Sequence, residues 1–214
     1  MNRIRSILGR YGTKTPFVVL DIGFKKLTYW KCMAALGWLR LTTLGTKGKR
    51  IAFGQDVSVS PGGYLKLGDG LYIGDRCIFE IYVNPKAHIV IGSETWISHD
   101  CHLSSCQEIK IGNKVLIGEF VSIRDSTHSH SKLDVPIKDQ TDVLGAIYIE
   151  DDVWIGRGCL ILGRPEGVSI GMGAIIAANS VVSRSIPPLQ IWGGVPARFI
   201  AHRDLNSAES NAHL

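Results

Sequence analysis

An aliphatic or aromatic residue followed at once by glycine recurs along this chain, and most of the pairs fall on a period of six residues. An α-helix needs apolar residues every three to four positions, and a half-buried strand needs them at every second position. A period of six fits neither, so it predicts a coil of repeated short strands and corners. The pairs that define the period are Phe53-Gly54, Leu67-Gly68, Ile73-Gly74, Ile91-Gly92, Ile111-Gly112, Ile117-Gly118, Ile155-Gly156 and Ile170-Gly171.

Each six-residue unit is expected to supply one flat strand and one sharp corner, and three units to complete one triangular turn. The aliphatic residue points inward and stacks on its equivalent one turn away, at roughly 4.8 Å. Glycine or a short polar residue suits the corner, because the backbone must turn there without a crowding Cβ or with a side chain that bonds to it. We expect Asp69, Asp75, Asn113 and Asp152 near such corners.

The repeats between Ile51 and about Arg203 resemble those of the hexapeptide-repeat acyltransferases. This resemblance implies left-handed coiling, which opposes the usual right-handed crossover preference and is taken from the family alone. The predicted fold class is all-β: a left-handed parallel β-helix of hexapeptide repeats with an N-terminal helical segment and an extruded loop. The predicted parts are a basic N-terminal segment at residues 1–50, the β-helix at 51–203 and a polar tail at 204–214.

The N-terminal segment carries apolar residues at near-helical spacing from Phe17 onward, and Pro16 suits the first turn of a helix. Basic residues surround them. Two interpretations remain open: a helical cap over the first coil, or a basic amphipathic segment resting on the inner membrane. We find neither a cleavable signal nor an apolar run long enough to span a bilayer, so the expected location is cytoplasmic, with peripheral membrane contact as the alternative.

The charge and the cysteines limit the classes of partner. A net charge of +5 and a pI near 9.0 suit the phosphates of a nucleotide cofactor or an anionic membrane surface. No nucleic-acid-binding motif accompanies the charge, so nucleic acid is not expected as a partner. The five cysteines show no CxxC spacing, and Cys77, Cys101 and Cys159 share the inward phase of the repeat. They are expected to be small buried apolar residues in a reducing compartment.

Two interruptions break the repeat. The first, residues 129–146, contains Pro136 and several charged residues and is expected to be a loop expelled from the coil. The second is a short insertion at residues 163–167. A long loop in a compact fold usually serves function.

His128 stands where the coil ends and the long loop departs. Acyl transfer from a thioester needs a base to take the proton of the acceptor, and histidine has a suitable intrinsic pKa. No serine or cysteine nucleophile motif is present, which favours direct attack by the acceptor. The resemblance to sugar O-acetyltransferases implies that His128 is the catalytic base and that Asp125 orients it or binds the acceptor; His130 is the local rival. Ser129 stands where the galactoside and maltose enzymes have proline, which favours the polysaccharide branch.

Three residues in an earlier coil, His99, Asp100 and His102, are about one coil away in phase and are predicted to line the acceptor cleft. A metal site formed with Cys101 and Cys106 is the alternative. The repeat points these side chains in different directions, so no metal is expected.

The resemblance also implies a set of contacts to acetyl-CoA. Trp154 would form a wall of the pantetheine and acceptor pocket, and the backbone at Gly156 and Arg157 would offer an N–H to the developing oxyanion. Small residues near Ala178 would let pantetheine lie along the coil. The remaining implied contacts, one small polar residue and two phosphate partners, are Ser183, Arg184 and Arg198.

The leading hypothesis is a cytoplasmic O-acetyltransferase that moves acetyl from acetyl-CoA to a hydroxyl of a surface-polysaccharide sugar, an O-antigen or a capsule precursor. The resemblance implies a homotrimer whose clefts are shared by neighbouring subunits. The alternative enzyme is an N-acetyltransferase acting on an amino sugar nucleotide, and a xenobiotic acetyltransferase is a third. A non-catalytic repeat scaffold is the alternative from another class. It gives no reason to keep His128, Trp154, Arg157 and Arg198 together.

Overall fold

In the computed structural model, residues 48–60, 62–84 and 87–203 are described. The predicted N-terminal helical segment, residues 1–47 of it, and the predicted tail at 204–214 lie outside these ranges. Among the residues that are described, no helix is long and apolar enough to cross a membrane.

The described chain winds through successive three-strand coils. Coil 1 contains β1 (Ala52–Phe53), β2 (Ser58–Val59) and β3 (Tyr64–Leu67). Coil 2 contains β4 (Tyr72–Ile73), β5 (Ile78–Ile81) and β6 (His88–Ile91). Coil 3 contains β7 (Trp96–Ile97), β8 (His102–Ser105) and β9 (Glu108–Ile111).

Coil 4 carries the extruded loop. Its strands are β10 (Leu116–Ile117), β11 (Ser122–Arg124), β12 (Ser126–His128), β13 (Asp142–Leu144) and β14 (Ile147–Ile149). A short 3₁₀ helix, Ile137–Asp139, lies between β12 and β13. Coil 5 contains β15 (Trp154–Ile155), β16 (Leu160–Leu162) and β17 (Val168–Ile170). The last part contains β18 (Ile175–Ile176), β19 (Val181–Val182), β20 (Gln190–Gly193) and β21 (Arg198–His202).

Equivalent strands of successive coils pair in parallel and form three faces. The first face runs β1-β4-β7-β10-β15-β18-β20, and β21 adds to its end in antiparallel fashion. The second face runs β2-β5-β8-β11-β16-β19, and the third runs β3-β6-β9-β14-β17. The parallel solenoid predicted from the six-residue period is therefore confirmed.

The core is a set of aliphatic ladders inside the triangle. On the first face Ile97, Ile117 and Ile155 lie in register on neighbouring strands, and each is fully buried. Burying an isoleucine side chain contributes about 2–3 kcal/mol relative to leaving it exposed. The inward cysteines Cys77, Cys101 and Cys159 are buried free thiols, as predicted.

Short polar side chains hold the corners by bonding to the backbone of the preceding coil. The N–H of Lys49 donates to Asp69 Oδ1 at 2.6 Å, and the N–H of Gln55 donates to Asp75 Oδ1 at 2.6 Å. The prediction for Asp152 needs a correction, because Asp151 makes the equivalent bond, from the N–H of Asn113 at 2.7 Å. Asp152 itself has φ 58° and pairs with Arg203.

The long interruption is a two-stranded ribbon and not an irregular loop throughout. Strands β12 and β13 pair antiparallel, with Thr127 opposite Val143 and His128 opposite Asp142. The ribbon leaves the coil after Asp125, and the chain re-enters it at Gly145, whose N–H donates to the Asp125 carbonyl at 2.8 Å. The short insertion at residues 163–167 forms the turn between β16 and β17.

Candidate active site

The extruded ribbon fixes the orientation of His128. His128 is the last residue of β12 and lies opposite Asp142 of β13. Its Nδ1 is 2.8 Å from Asp142 Oδ1. A carboxylate can only accept, so this contact favours the proton on Nδ1 and leaves Nε2 with a lone pair. The side chain of His128 is 72 % exposed, which leaves Nε2 open to an incoming acceptor. This arrangement suits a general base.

Asp125 does not orient His128, so this predicted role is wrong in the structure. Its side chain is fully buried, and its carboxylate accepts hydrogen bonds from Ser105 Oγ at 2.7 Å, the N–H of Cys106 at 2.6 Å and the N–H of Gln107 at 2.8 Å. A buried carboxylate is stable only when paired or hydrogen-bonded in this way. Asp125 therefore anchors the foot of the ribbon to coil 3 and does not face an acceptor.

His130 lies two residues beyond β12 and is exposed. No hydrogen bond or ion pair joins it to another residue of the described ranges. The structure therefore gives an orienting partner to His128 and none to its predicted rival.

A groove of about 350 Å³ runs along the first face and crosses several coils. The predicted residues Trp154, Gly156, Arg157 and Ala178 line it, together with Ser98, Gly118 and Glu119 among residues that were not predicted. Its walls are mainly apolar and its rim carries charged groups, which is typical of a site for an extended organic ligand.

Gly156 forms the floor of this groove for a steric reason. A Cβ added there would lie 2.7 Å from the Ala178 N and 2.8 Å from the Ile176 O, both backbone atoms that cannot move aside. The backbone of neighbouring coils therefore comes unusually close at this corner. Any side chain larger than that of glycine would therefore force the backbone at Gly156 away from the backbone of Ile176 and Ala178 in the next coil.

Arg157 is held at the rim of the groove by two contacts. Its Nε is 3.5 Å from Glu119 Oε1, and its guanidinium lies 5.3 Å from the ring centroid of Phe120. Phe120 has φ 60°, a conformation that is strained for a bulky side chain. In this conformation the Phe120 ring contacts both Arg157 and His99, and the His99 ring packs edge-on with its centroid at 5.4 Å.

His99 and Asp100 lie on the same corner, one coil earlier. His99 Nδ1 is 2.7 Å from Asp100 Oδ2, and Arg76 donates to both oxygens of Asp100 at 2.6 and 2.5 Å. The bonds from Arg76, and secondarily from His99, lower the pKa of Asp100 to about 2. His99 and Asp100 directly follow Ser98, which lines the groove. The carboxylate of Asp100 is already paired with Arg76.

His102 lies on the second face, apart from His99. Its Nε2 is 3.2 Å from Glu80 Oε2, which also accepts from Ser104 Oγ at 3.0 Å. The structure thus separates the predicted acceptor residues into two places, the groove corner and the second face.

Three predicted cofactor residues do not line the groove. Ser183 and Arg184 follow β19 on the second face, and Arg198 opens β21 with its Nη1 donating to its neighbour's carbonyl, the Ala197 O, at 3.0 Å.

A smaller cavity of about 180 Å³ beside the groove is lined by Lys114 and Arg203, and Arg203 Nη1 also binds Asp152 Oδ2 at 2.8 Å.

The groove and the histidine lie at opposite edges of the second face. Glu119 precedes β11, whereas His128 follows it beyond Asp125. Within the described part of the chain, no hydrogen bond or ion pair connects His128 to a residue of the groove. One chain therefore presents the two halves of the predicted site without joining them.

Proteins similar to this chain are found by sequence and by structure, although no family model matches the chain. A protein of Escherichia coli named as a candidate lipopolysaccharide biosynthesis O-acetyl transferase is 34 % identical over 106 residues, which is 46 % of this chain and 53 % of that protein. The chain spans about half the length of the curated relatives it matches.

A hexapeptide-repeat acetyltransferase from Vibrio cholerae is 25 % identical with a TM-score of 0.56, covering 95 % of this chain and 92 % of that one. In fold this chain is similar to hexapeptide-repeat acetyltransferases, and its sequence relatives are named as acetyltransferases. An N-acyltransferase from Bacillus cereus, solved with dTDP and coenzyme A, shares the fold of this hexapeptide-repeat protein at 22 % identity and a TM-score of 0.63, over 81 % of this chain and 89 % of that one. The predicted left-handed parallel β-helix is confirmed by these matches.

Sequence reasoning missed the main partners of the predicted residues in this hexapeptide-repeat protein. Asp142 stands 14 positions after His128, and no local motif marks it. Glu119 and Phe120 follow the Ile117-Gly118 pair directly, so their corner position was available as a signal. Among the described residues, no group of three or more His, Cys, Asp or Glu side chains is placed to hold a metal ion.

Proposed function

We propose that this chain is an O-acetyltransferase that transfers acetyl from acetyl-CoA to a hydroxyl of a surface-polysaccharide sugar or its precursor. The observation that carries the proposal is the exposed His128 held by Asp142 at 2.8 Å. The names of the relatives support acetyl transfer, and the E. coli relative supports a polysaccharide acceptor.

The proposed chemistry is direct transfer. His128 Nε2 takes the proton of the acceptor hydroxyl while the oxygen attacks the thioester carbonyl of acetyl-CoA. Asp142 stabilises the resulting imidazolium. The tetrahedral intermediate collapses, the bond to sulfur breaks, and the imidazolium returns its proton to the departing thiolate. The products are the acetyl ester and coenzyme A.

In this proposal the groove holds the pantetheine arm. Trp154 and Ala178 supply apolar contact, and Gly156 lets the backbone of neighbouring coils pack closely along the groove. Arg157 at the rim and the exposed Arg184 and Arg198 supply positive charge for the phosphates, with Ser183 as a further polar contact.

We further propose that a homotrimer completes the site. The groove and His128 lie at opposite edges of the second face, so a neighbouring copy is needed to bring a groove to each histidine. The cytoplasm remains the proposed location, since acetyl-CoA would be available there.

The first test combines binding and transfer. Isothermal titration with acetyl-CoA is expected to give the same Kd for the wild type and for His128→Ala, because His128 is not part of the groove. Transfer to a panel of sugars is expected to fall about 10²–10⁴-fold in His128→Ala, the usual contribution of a general base.

The controls separate the alternatives. His130→Ala is the matched variant and should retain activity. Turnover of an amino sugar nucleotide with little loss in His128→Ala would favour N-acetylation, since a neutral amine needs less help from a base. A wild type that does not bind acetyl-CoA would overturn the assignment of the groove and favour the scaffold.

A further inference from the structure

A network centred on Glu80 occupies the outer surface of the second face. The Glu80 carboxylate accepts hydrogen bonds from Ser104 Oγ and His102 Nε2 at one oxygen, and the nearby Tyr82 hydroxyl also helps to lower the pKa of Glu80. Partial burial alone would raise the pKa of Glu80, but these hydrogen bonds outweigh it, and the pKa lies below its usual value. The carboxylate is thus ionised and held in one orientation, with its side chain still 36 % exposed.

This network lies at the foot of the ribbon that carries His128. Glu80, Ser104 and Arg124 are in register on β5, β8 and β11. Burial raises the pKa of the Cys106 thiol, Ser126 of the ribbon lowers it, and the carboxylates of Asp125, Asp142 and Glu80 raise it further, in that order. The network therefore lies near the base of the ribbon.

Arg124 stands two coils from Glu80, about 10 Å along the face at the usual strand spacing. Its side chain is exposed, and it makes no ion pair with another described residue. Its guanidinium is close enough to Tyr82 to oppose the rise in the pKa of that hydroxyl. It therefore adds a positive charge to the same surface.

The chemistry of this surface suits a sugar with an anionic substituent. A carboxylate held by two donors, His102 and Ser104, keeps one orientation and can accept hydrogen bonds from adjacent sugar hydroxyls. An unpaired guanidinium recognises a carboxylate or a phosphate through two parallel hydrogen bonds. The half-exposed ring of Tyr82, 47 % accessible, offers an apolar face for the sugar ring.

We propose that Glu80, Tyr82 and Arg124, the acceptor patch, bind the acceptor as a sugar that carries a carboxylate or a phosphate. This inference rests on the proposed function, since it names the acceptor of the same reaction. Glu80 holds ring hydroxyls, Arg124 holds the anionic group, and the hydroxyl to be acetylated points toward His128 at the end of the ribbon.

The test uses matched acceptors and matched variants. The acceptors are the methyl glycosides of glucose, galactose and mannose, the corresponding methyl uronosides and the 1-phosphates of the same sugars, each assayed with acetyl-CoA by release of coenzyme A thiol. The variants are Glu80→Gln and Arg124→Gln. Glu108→Gln is the control, because Glu108 is likewise held by His88, Lys110 and Tyr148 but lies on the third face.

The wild type is expected to prefer at least one charged sugar over its neutral counterpart. Glu80→Gln is expected to raise the acceptor KM about tenfold or more, the value of one hydrogen bond to a charged group, with kcat and the acetyl-CoA Kd nearly unchanged. Arg124→Gln is expected to remove the preference for charged over neutral sugars, and Glu108→Gln should behave like the wild type. A uronoside preference and a 1-phosphate preference would distinguish the two sources of the anionic group.

Equal use of charged and neutral sugars by the wild type would overturn the proposal, as would an unchanged acceptor KM in Glu80→Gln. Acetyl-CoA binding with no turnover of any sugar in the panel would overturn the patch and its substrate class while leaving the donor site standing. Absence of acetyl-CoA binding would instead overturn the proposed function itself.

Discussion

At the scale of single residues, the hydrogen bond to one imidazole nitrogen determines what His128 can do. In the neutral imidazole, Nδ1 donates to Asp142 Oδ1, so Nε2 is the nitrogen that carries the lone pair. An asparagine at 142 could instead donate to Nδ1 and favour the tautomer with its proton on Nε2. That tautomer cannot act as a base.

We therefore expect Asp142→Asn to lower kcat about 10²-fold or more while the acetyl-CoA Kd stays unchanged. The measurement is steady-state transfer to the best acceptor of the sugar panel, with titration of acetyl-CoA alongside. Asp139→Asn is the control, because Asp139 lies in the same loop and pairs only with Lys138. Equal kcat values for Asp142→Asn and the wild type would contradict the role of Asp142.

His128 could be predicted because it lies where the regular repeat ends. Trp154 could be predicted because it directly follows an inward position of the six-residue repeat. Asp142 could not, because its pairing depends on the register of two short antiparallel strands joined by a 13-residue connection. Asp125 was misjudged for a related reason. Its role toward His128 is implied by the resemblance alone, whereas the corner turns its side chain under the ribbon toward Cys106 and Gln107.

At the scale of elements, the neck of the ribbon is the tightest point of coil 4. A Cβ at Gly145 would lie 1.8 Å from the Arg164 O, and a Cβ at Gly163 would lie 2.0 Å from the Gly145 O. These backbone segments belong to coils 4 and 5, so the insertion at 163–167 packs directly against the base of the ribbon. The sequence showed both interruptions, but it could not show that they meet.

Gly145→Ala is expected to force these segments apart and move the ribbon relative to the coil. We expect a loss of about 2–4 kcal/mol in the free energy of unfolding, by overpacking against rigid backbone, and a fall in kcat larger than the change in acetyl-CoA affinity. Thermal unfolding and transfer assays measure the two effects. Leu133→Ala, at a fully exposed position of the same loop, is the control and should change neither. A variant with wild-type stability would show that the neck is not rigid.

At the scale of the whole molecule, the ladders follow from the sequence because every coil repeats the same inward positions. The groove is harder to predict, because it joins residues whose separation changes from coil to coil. Leu116 pairs with Trp96, 20 residues earlier, and with Trp154, 38 residues later, since the ribbon lies between. Ser98 and Glu119 could therefore be placed beside Trp154 only once the number of residues in each coil was known.

A mixture of two inactive variants tests the shared site. His128→Ala keeps the groove, and Trp154→Ala keeps the histidine, so neither homotrimer is expected to be active. Mixed trimers formed by refolding a 1:1 mixture are expected to recover about a quarter of the wild-type activity, the fraction of interfaces that combine an intact groove with an intact histidine. A mixture no more active than the two variants alone would show that a single chain holds the complete site.

The hydrogen bond from the Gly145 N–H to the Asp125 carbonyl has one more consequence. It lets the coil pass from one side of the ribbon to the other as though the intervening residues were absent. The ribbon is therefore a separable segment. Its tip lies outside the aliphatic ladders, so its length and composition can change without destabilising the core. New acceptor preferences could be grafted onto this scaffold by exchanging that one segment, provided that the histidine and its carboxylate keep their places opposite each other.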